Sequence, residues 1–501
     1  MKIRLMMALW AVLPAAAATC DSLASLSLPH TTIASAEEAP AGVFTPPGGR
    51  PIPNLPSFCR LSGSLKPSND SDIQFEVWLP ASGWNGKFEG IGNGGFAGAI
   101  SYGGLAAAVA RGYATASTDT GHHAGGTDAT WALGHPEKVT DFGYRAIHET
   151  AVVAKAAIAA FYGTAPKRSY FNSCSNGGRQ ALMEAQRFPA DYDGIIAGAP
   201  ANYWTHLIAN SVWIAQAMSE PGAYIPQSKL PAIEGAALQS CDLNDGVKDG
   251  VIDSPDRCQF KPATLLCRDA DSDTCLTQPQ VTALEKILGG IRGAKGSLFP
   301  GYVVGGLTGG GGWGDWITGS APGKSLAYAY GSNFFANMVY EDRAWDYHTF
   351  QPDRDTKKAD DKLARTLNAT DPDLSKFQGR GGRLILYHGW SDAAISPLNA
   401  IAYYKTIHKP EPFVRLFMVP GMQHCGGGPG PNDFGQGAAG AKGDPEHDIN
   451  AALERWVEEG IAPSQIIAKR QSRTRPLCPY PQIATYKGTG STDDAANFVC
   501  K

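Results

Sequence analysis

The sequence has no CxxC pair, no long basic run and no internal repeat. After residue 18 it has no apolar stretch approaching the roughly 20 residues that a membrane-spanning helix needs. The missing CxxC pair argues against a zinc ribbon. With 43 Lys plus Arg against 47 Asp plus Glu, the formal charge is −4, which argues against nucleic acid as the main partner. Charged residues make up only 18% of the chain and hydrophobic residues 43%, the opposite of the balance that disorder requires. A chain of 501 residues can bury a large core without help from metals or cross-links, and its length suits two or three structural units. Glycine (59) and proline (35) are plentiful but have no three-residue period, so they mark ordered loops rather than a collagen-like fibre.

What is present begins with an export signal. Lys2 and Arg4 precede an apolar stretch from residue 5 to 18 that ends in small residues, the layout of a cleaved signal peptide over residues 1–18. The competing reading is a buried N-terminal helix, and Thr19 is bulky for a lipid-modified Cys20. The mature protein is expected to be secreted or periplasmic. Ten cysteines, an even number, then point to disulfides. Spacing favours neighbours: Cys241 with Cys258, Cys267 with Cys275, Cys478 with Cys500, and Cys20 with Cys59. That leaves Cys174 and Cys425, and spacing alone does not prove the set.

From residue 72 to 200, strands alternate with helices. Residues 73–79, 87–92, 113–117, 169–173 and 194–199 read as strands, and 144–161 and 178–188 as helices. The rhythm is lost between about 203 and 378 and returns with strands at 383–387 and 414–419 and a helix at 446–459. This predicts an α/β fold with a mostly parallel, doubly wound sheet. Residues 19–202 and 379–501 would form one domain, and 203–378 an insertion after the sixth strand, over the C-terminal sheet edge where ligands bind.

The strongest local signal is Ser173-Cys174-Ser175-Asn176-Gly177-Gly178, between a strand and a helix. It fits a nucleophile elbow, small-x-Ser-x-Gly, although Ser173 replaces the usual glycine. The plain alternative is an ordinary strand–helix turn. The elbow would raise the Ser175 hydroxyl above the sheet edge and aim the Asn176 N–H at the reacting oxygen. A serine hydroxyl needs a base, and the order on this fold is Ser, acid, His. Asp392 follows one strand end and His424 the next. His388, at a strand end, reads as structural. If Ser175 and His424 meet, Cys174 and Cys425 are forced close enough to bridge, since bonded Cα atoms lie about 4.4–6.8 Å apart; buried free thiols are the alternative. The second oxyanion donor is expected from Gly92-Asn93-Gly94-Gly95, at Gly95 or else Gly94, in the loop after the third strand.

With Cys174-Ser175, Asp392, His424-Cys425, the cysteine-bracketed acidic loop and the closing segment 475–500, the chain resembles the tannase and feruloyl esterase family of α/β-hydrolases over nearly its whole mature length. The resemblance implies esters of aromatic acids as substrates, feruloyl, galloyl or related, free or attached to plant polysaccharide or tannin. Enzymes that cleave the monoester of terephthalate and ethylene glycol look similar too. It also implies that 203–378 is a lid domain and that the neighbour pairing of cysteines is right.

The acidic loop can be read on its own. Asp242, Asp245 and Asp249 place three carboxylates within eight residues, which repel unless a cation sits among them. Gly246 and Gly250 allow sharp turns, so backbone carbonyls can join a hard-oxygen shell suited to Ca²⁺, with spacing unlike an EF-hand. The resemblance adds Val247 and Val251 as carbonyl ligands. The expected cofactor is therefore a structural Ca²⁺ in the lid, with no organic cofactor; a solvated acidic turn is the alternative. Trp313, Trp316, Phe334, Phe335 and Trp345 are candidates to hold the flat acid ring. Together these features read as a serine carboxylesterase. A serine peptidase on the same fold and a non-catalytic, calcium-stabilised binding protein are the competing readings.

Overall fold

Nine strands form one sheet in the computed structural model, which describes residues 19–437 and 443–501. The expected signal peptide at 1–18 lies outside the described residues. In chain order the strands are β1 (Thr31–Ala39), β2 (Phe58–Leu65), β3 (Ile73–Pro80), β4 (Lys87–Ile91), β5 (Ala114–Thr118), β6 (Arg168–Cys174), β7 (Gly194–Gly198), β8 (Arg383–Gly389) and β9 (Val414–Val419). They lie in the order β1-β2-β3-β5-β4-β6-β7-β8-β9. The first three pair antiparallel, β3 meets β5 antiparallel, and every pair from β5 to β9 is parallel.

Side chains alternate across the sheet, as the pleat requires. On β8, Leu384 and Leu386 join the core that holds α2 (Ala146–Tyr162), α3 (Asn176–Arg187) and α4 (Pro397–Thr406). Ile385 and Tyr387 join the opposite core with α1 (Tyr102–Ala110) and α5 (Ile449–Glu459). The helices therefore cover both faces, and β5 and β7 are buried at every position, as doubly covered parallel strands must be.

Two strands before residue 72 extend the predicted sheet. β1 buries only Ala36, so its sequence carries almost no strand pattern. The insertion follows the seventh strand, not the sixth, and the glycine loop at 92–95 follows the fourth, not the third. Among the described residues of the insertion, no strand joins the large sheet. Its helices pack into separate apolar cores, one around Phe334, Phe335 and Trp204, the other around Trp313 and Leu284. Disulfides link Cys20–Cys59, Cys174–Cys425, Cys241–Cys258, Cys267–Cys275 and Cys478–Cys500, so the neighbour pairing holds throughout.

Candidate active site

Ser175 sits between β6 and α3 with φ +67° and ψ −126°. This left-hand conformation is strained for a residue with a side chain and persists because its surroundings fix it. Its N–H donates to Gly198 O (2.9 Å), and its carbonyl accepts from Arg179 N (3.1 Å) and Ala201 N (3.1 Å). The turn admits only glycine after Asn176. A Cβ on Gly177 would lie 1.9 Å from Ser173 Oγ, and one on Gly178 2.3 Å from Gly198 O.

Two loops at the neighbouring strand ends bring in the partners. Asp392 follows β8, and its Oδ1 accepts the N–H groups of Ala394 (2.8 Å) and Ile395 (2.9 Å). His424 follows β9, with Nδ1 2.8 Å from Asp392 Oδ2 and Nε2 2.9 Å from Ser175 Oγ. Because the carboxylate can only accept, Nδ1 carries the proton and Nε2 is free to receive one from the serine. Burial alone would raise the Asp392 carboxyl, but the charge of His424 and hydrogen bonds from His388 and His424 overcome it and hold the group well below the usual carboxylate range. The Cys174–Cys425 bridge, with Cα atoms 6.0 Å apart, ties the serine loop to the histidine loop.

His388 does more than fill the core. It is fully buried, and its Nε2 lies 3.1 Å from Asp392 Oδ2, the same oxygen that meets His424, and 3.1 Å from Ile395 O. Only its spacing of four residues from Asp392 hinted at this.

Gly95 has φ +56°, and a Cβ there would lie 2.4 Å from Gly126 O and 2.7 Å from Tyr330 Oη, so only glycine fits. A Cβ on Gly94 would meet nothing within 4 Å. The flanking N–H groups are engaged: Asn93 donates to Gln180 Oε1 (2.9 Å) and Phe96 to Gly126 O (2.7 Å). His122 Nε2 holds Phe96 O at 2.8 Å. Gly95, Ser175 and Asn176 all line one cavity, walled by Trp204, Tyr302, Trp316 and Tyr330. No Lys, Arg, Asp or Glu is among the residues that line it. Of the five aromatics expected to hold a ring, Trp316 lines the cavity, its ring edge-on to His424 at 5.3 Å. Trp313, Phe334 and Phe335 are buried in the cores of the insertion, and Trp345 stacks on Phe335. Trp204, Tyr302 and Tyr330 were missed because nothing in their local pattern separates a cavity wall from a core.

The family model described as "Tannase and feruloyl esterase" matches residues 59–501. The chain belongs to the tannase and feruloyl esterase family. It is accordingly a carboxylic ester hydrolase with the α/β-hydrolase fold. An uncharacterised esterase of Xanthomonas campestris pv. campestris is 43% identical, over 97% of this chain and 91% of that protein. A mono(2-hydroxyethyl) terephthalate hydrolase of Piscinibacter sakaiensis is 33% identical, over 89% of this chain and 85% of its own. The crystal structure of feruloyl esterase B from Aspergillus oryzae superposes with a TM-score of 0.90 at 32% identity, covering 96% of this chain and 99% of that one.

In this member of the family the acidic loop folds on itself beside the C-terminal strands. Asp242 Oδ1 accepts the Gly250 N–H (3.1 Å), and Asp245 and Asp249 each accept the N–H two residues on, from Val247 (2.8 Å) and Val251 (3.1 Å). Asp249 Oδ2 also pairs with Arg475, and with Arg473 at 3.3 Å. Val247 and Val251 are buried. Burial pushes up the Asp245 carboxyl, and burial together with Asp245 pushes Asp253 to about 8, with its Oδ1 buried and unpartnered. Crowded carboxyls such as Asp245 and Asp253 are what a hard divalent cation would relieve, whereas Asp249 already has two arginines.

Proposed function

We propose that this esterase is exported, cleaves uncharged esters of aromatic acids, and works through an acyl-enzyme on Ser175. The observation that carries the reading is the unbroken run of hydrogen bonds from Asp392 through His424 to Ser175 Oγ, at 2.8 and 2.9 Å, at the wall of an aromatic cavity. Ser175 attacks the ester carbonyl while His424 Nε2 takes its proton and delivers it to the departing alcohol. The N–H groups of Asn176 and Gly95 stabilise the oxyanion, often the largest single contribution to such catalysis. Water, deprotonated by His424, then releases the acid.

The aromatic walls favour a flat acyl group. The uncharged lining disfavours an ionised one, since a carboxylate buried without a partner costs several kcal/mol. The Piscinibacter relative is named for a monoester of a dicarboxylic acid, which carries such a carboxylate; methyl ferulate and methyl gallate do not. The lining likewise holds no carboxylate to receive a peptide amino terminus. Residues 203–378 act as the lid, which accounts for Trp204, Tyr302, Trp316 and Tyr330 in the wall. Ca²⁺ held by Asp242, Asp245 and Asp249 with the carbonyls of Val247 and Val251 would stiffen the lid and would stay out of the reaction. Five disulfides support an oxidising compartment.

Ser175→Ala tests the reading. Hydrolysis of methyl ferulate should vanish with the thermal transition unchanged, and near-normal turnover would refute it. Within a panel of methyl ferulate, methyl gallate, chlorogenate and mono(2-hydroxyethyl) terephthalate, the last should have the lowest kcat/KM.

A further inference from the structure

Arg179 lies in the first turn of α3, one turn from Ser175, and is fully buried. Its guanidinium donates from Nε to Asn176 Oδ1 (2.8 Å) and from its other nitrogens to Gly143 O (2.8 Å), Phe142 O (3.0 Å) and Leu367 O (3.3 Å). All four acceptors are uncharged. The rings of Phe142 and Trp204 lie 4.7 and 5.1 Å from its central carbon, and Trp204 also walls the cavity. Among the described residues no carboxylate pairs with it, and the one charge acting on it from nearby is Arg187, of like sign. Burial lowers the group to about 9, so it remains a cation at neutral pH.

A buried cation without a counter-ion is costly. Here the cost has a use in the reaction assigned above, on which this inference rests. We propose that Arg179 is a positioning residue for oxyanion stabilisation: it clamps the Asn176 amide and places fixed positive charge beneath the N-terminus of α3, where the ester carbonyl becomes an anion. The clamp is direct. Arg179 can only donate, so it selects Oδ1 of Asn176 and holds residue 176, whose N–H serves the oxyanion. The field follows from burial. A charge in a water-poor interior is weakly screened, and this one adds to the positive end of the helix dipole. Because it is already in place before the reaction, it favours the charged transition state over the neutral ester.

The experiment compares Arg179→Met and Arg179→Lys in the full chain. It measures kcat and KM on methyl ferulate and the Ki of phenylboronic acid, which forms an anionic tetrahedral adduct on serine. Arg179→Met should lower kcat on the order of 10- to 100-fold. KM should stay within about threefold, and the boronate Ki should rise in parallel with the loss of kcat. Arg179→Lys, which keeps the charge and loses the planar fork, should recover most of both. Equal losses in the two variants, a loss confined to KM, or an unchanged boronate Ki would overturn the proposal. So would failure of both variants to fold, because Arg179 would then serve the fold alone. An active Ser175→Ala variant would instead remove the esterase reading itself, so the two failures are distinguishable.

Discussion

The Cys174–Cys425 bridge should matter more for turnover than for stability. It closes a sequence separation of 251 residues. The chain-entropy relation gives about 5 kcal/mol for a loop of that length, as an upper value. Unfolding entropy for about 480 residues is on the order of 1 kcal/mol per degree, so replacing both cysteines by serine should lower Tm by about 5 °C at most. The effect on chemistry should be larger because each cysteine adjoins a side chain of the proposed Ser175–His424 pair. Without the bridge, the glycine-rich loop that carries His424 loses its covalent tie to the serine loop, and a misplacement of about 1 Å can cost about 100-fold in rate. The double variant should therefore lose about two orders of magnitude in kcat at 25 °C, with KM little changed, because Trp204, Tyr302, Trp316 and Tyr330 stand on other segments. Calorimetry and initial rates on methyl ferulate measure the two effects separately. A Cys267→Ser/Cys275→Ser control opens a separation of only 8 residues. It should cost about 2.5 kcal/mol and no turnover. Wild-type kcat in the Cys174/Cys425 variant would refute the argument.

Other outcomes follow from the same geometry. Asp392→Asn should lower kcat by about 10⁴, because an amide no longer fixes the Nδ1–H tautomer of His424. Asp392 is held below its unfolded value, so its contribution to stability is complete above the ordinary carboxylate range and fades as pH falls through the depressed value; the variant should lose that part of the acid transition in thermal scans. Chelation with EGTA should lower Tm by about 3 °C if Ca²⁺ had been present at about 100 times its Kd, a linkage of about 2.7 kcal/mol, and added Ca²⁺ should restore it. Glu184 is 1% exposed, and burial, then the nearby Asp191 carboxylate, raise its carboxyl well above the usual range. The folded protein therefore holds a proton there that the unfolded chain releases, and stability falls as pH rises above the unfolded carboxylate value. Glu184→Gln should flatten that decline above the ordinary carboxylate range, and an identical Tm profile would count against it.

The sequence by itself pointed to the meeting of Ser175, Asp392 and His424, because each follows a short strand–turn pattern, while the disulfide pairs, which spacing left open, were implied by the resemblance to the family. A tight turn needs small residues two places either side of its serine, and that constraint is written locally. It also determined the parallel half of the sheet, whose doubly buried strands are apolar runs. Only the tertiary structure decided the rest. β1 is a polar edge strand, legible only through its partner β2. Trp204, Tyr302 and Tyr330 wall the cavity as well as packing in the insertion's cores, because segments far apart in the chain leave a gap beside them. His388 turned its imidazole onto Asp392, four residues on, and Arg179 among the described residues met only uncharged acceptors, two of its partners coming from segments far from it in the chain. Such facts depend on which surfaces come to face each other, and no local pattern of residue types encodes that.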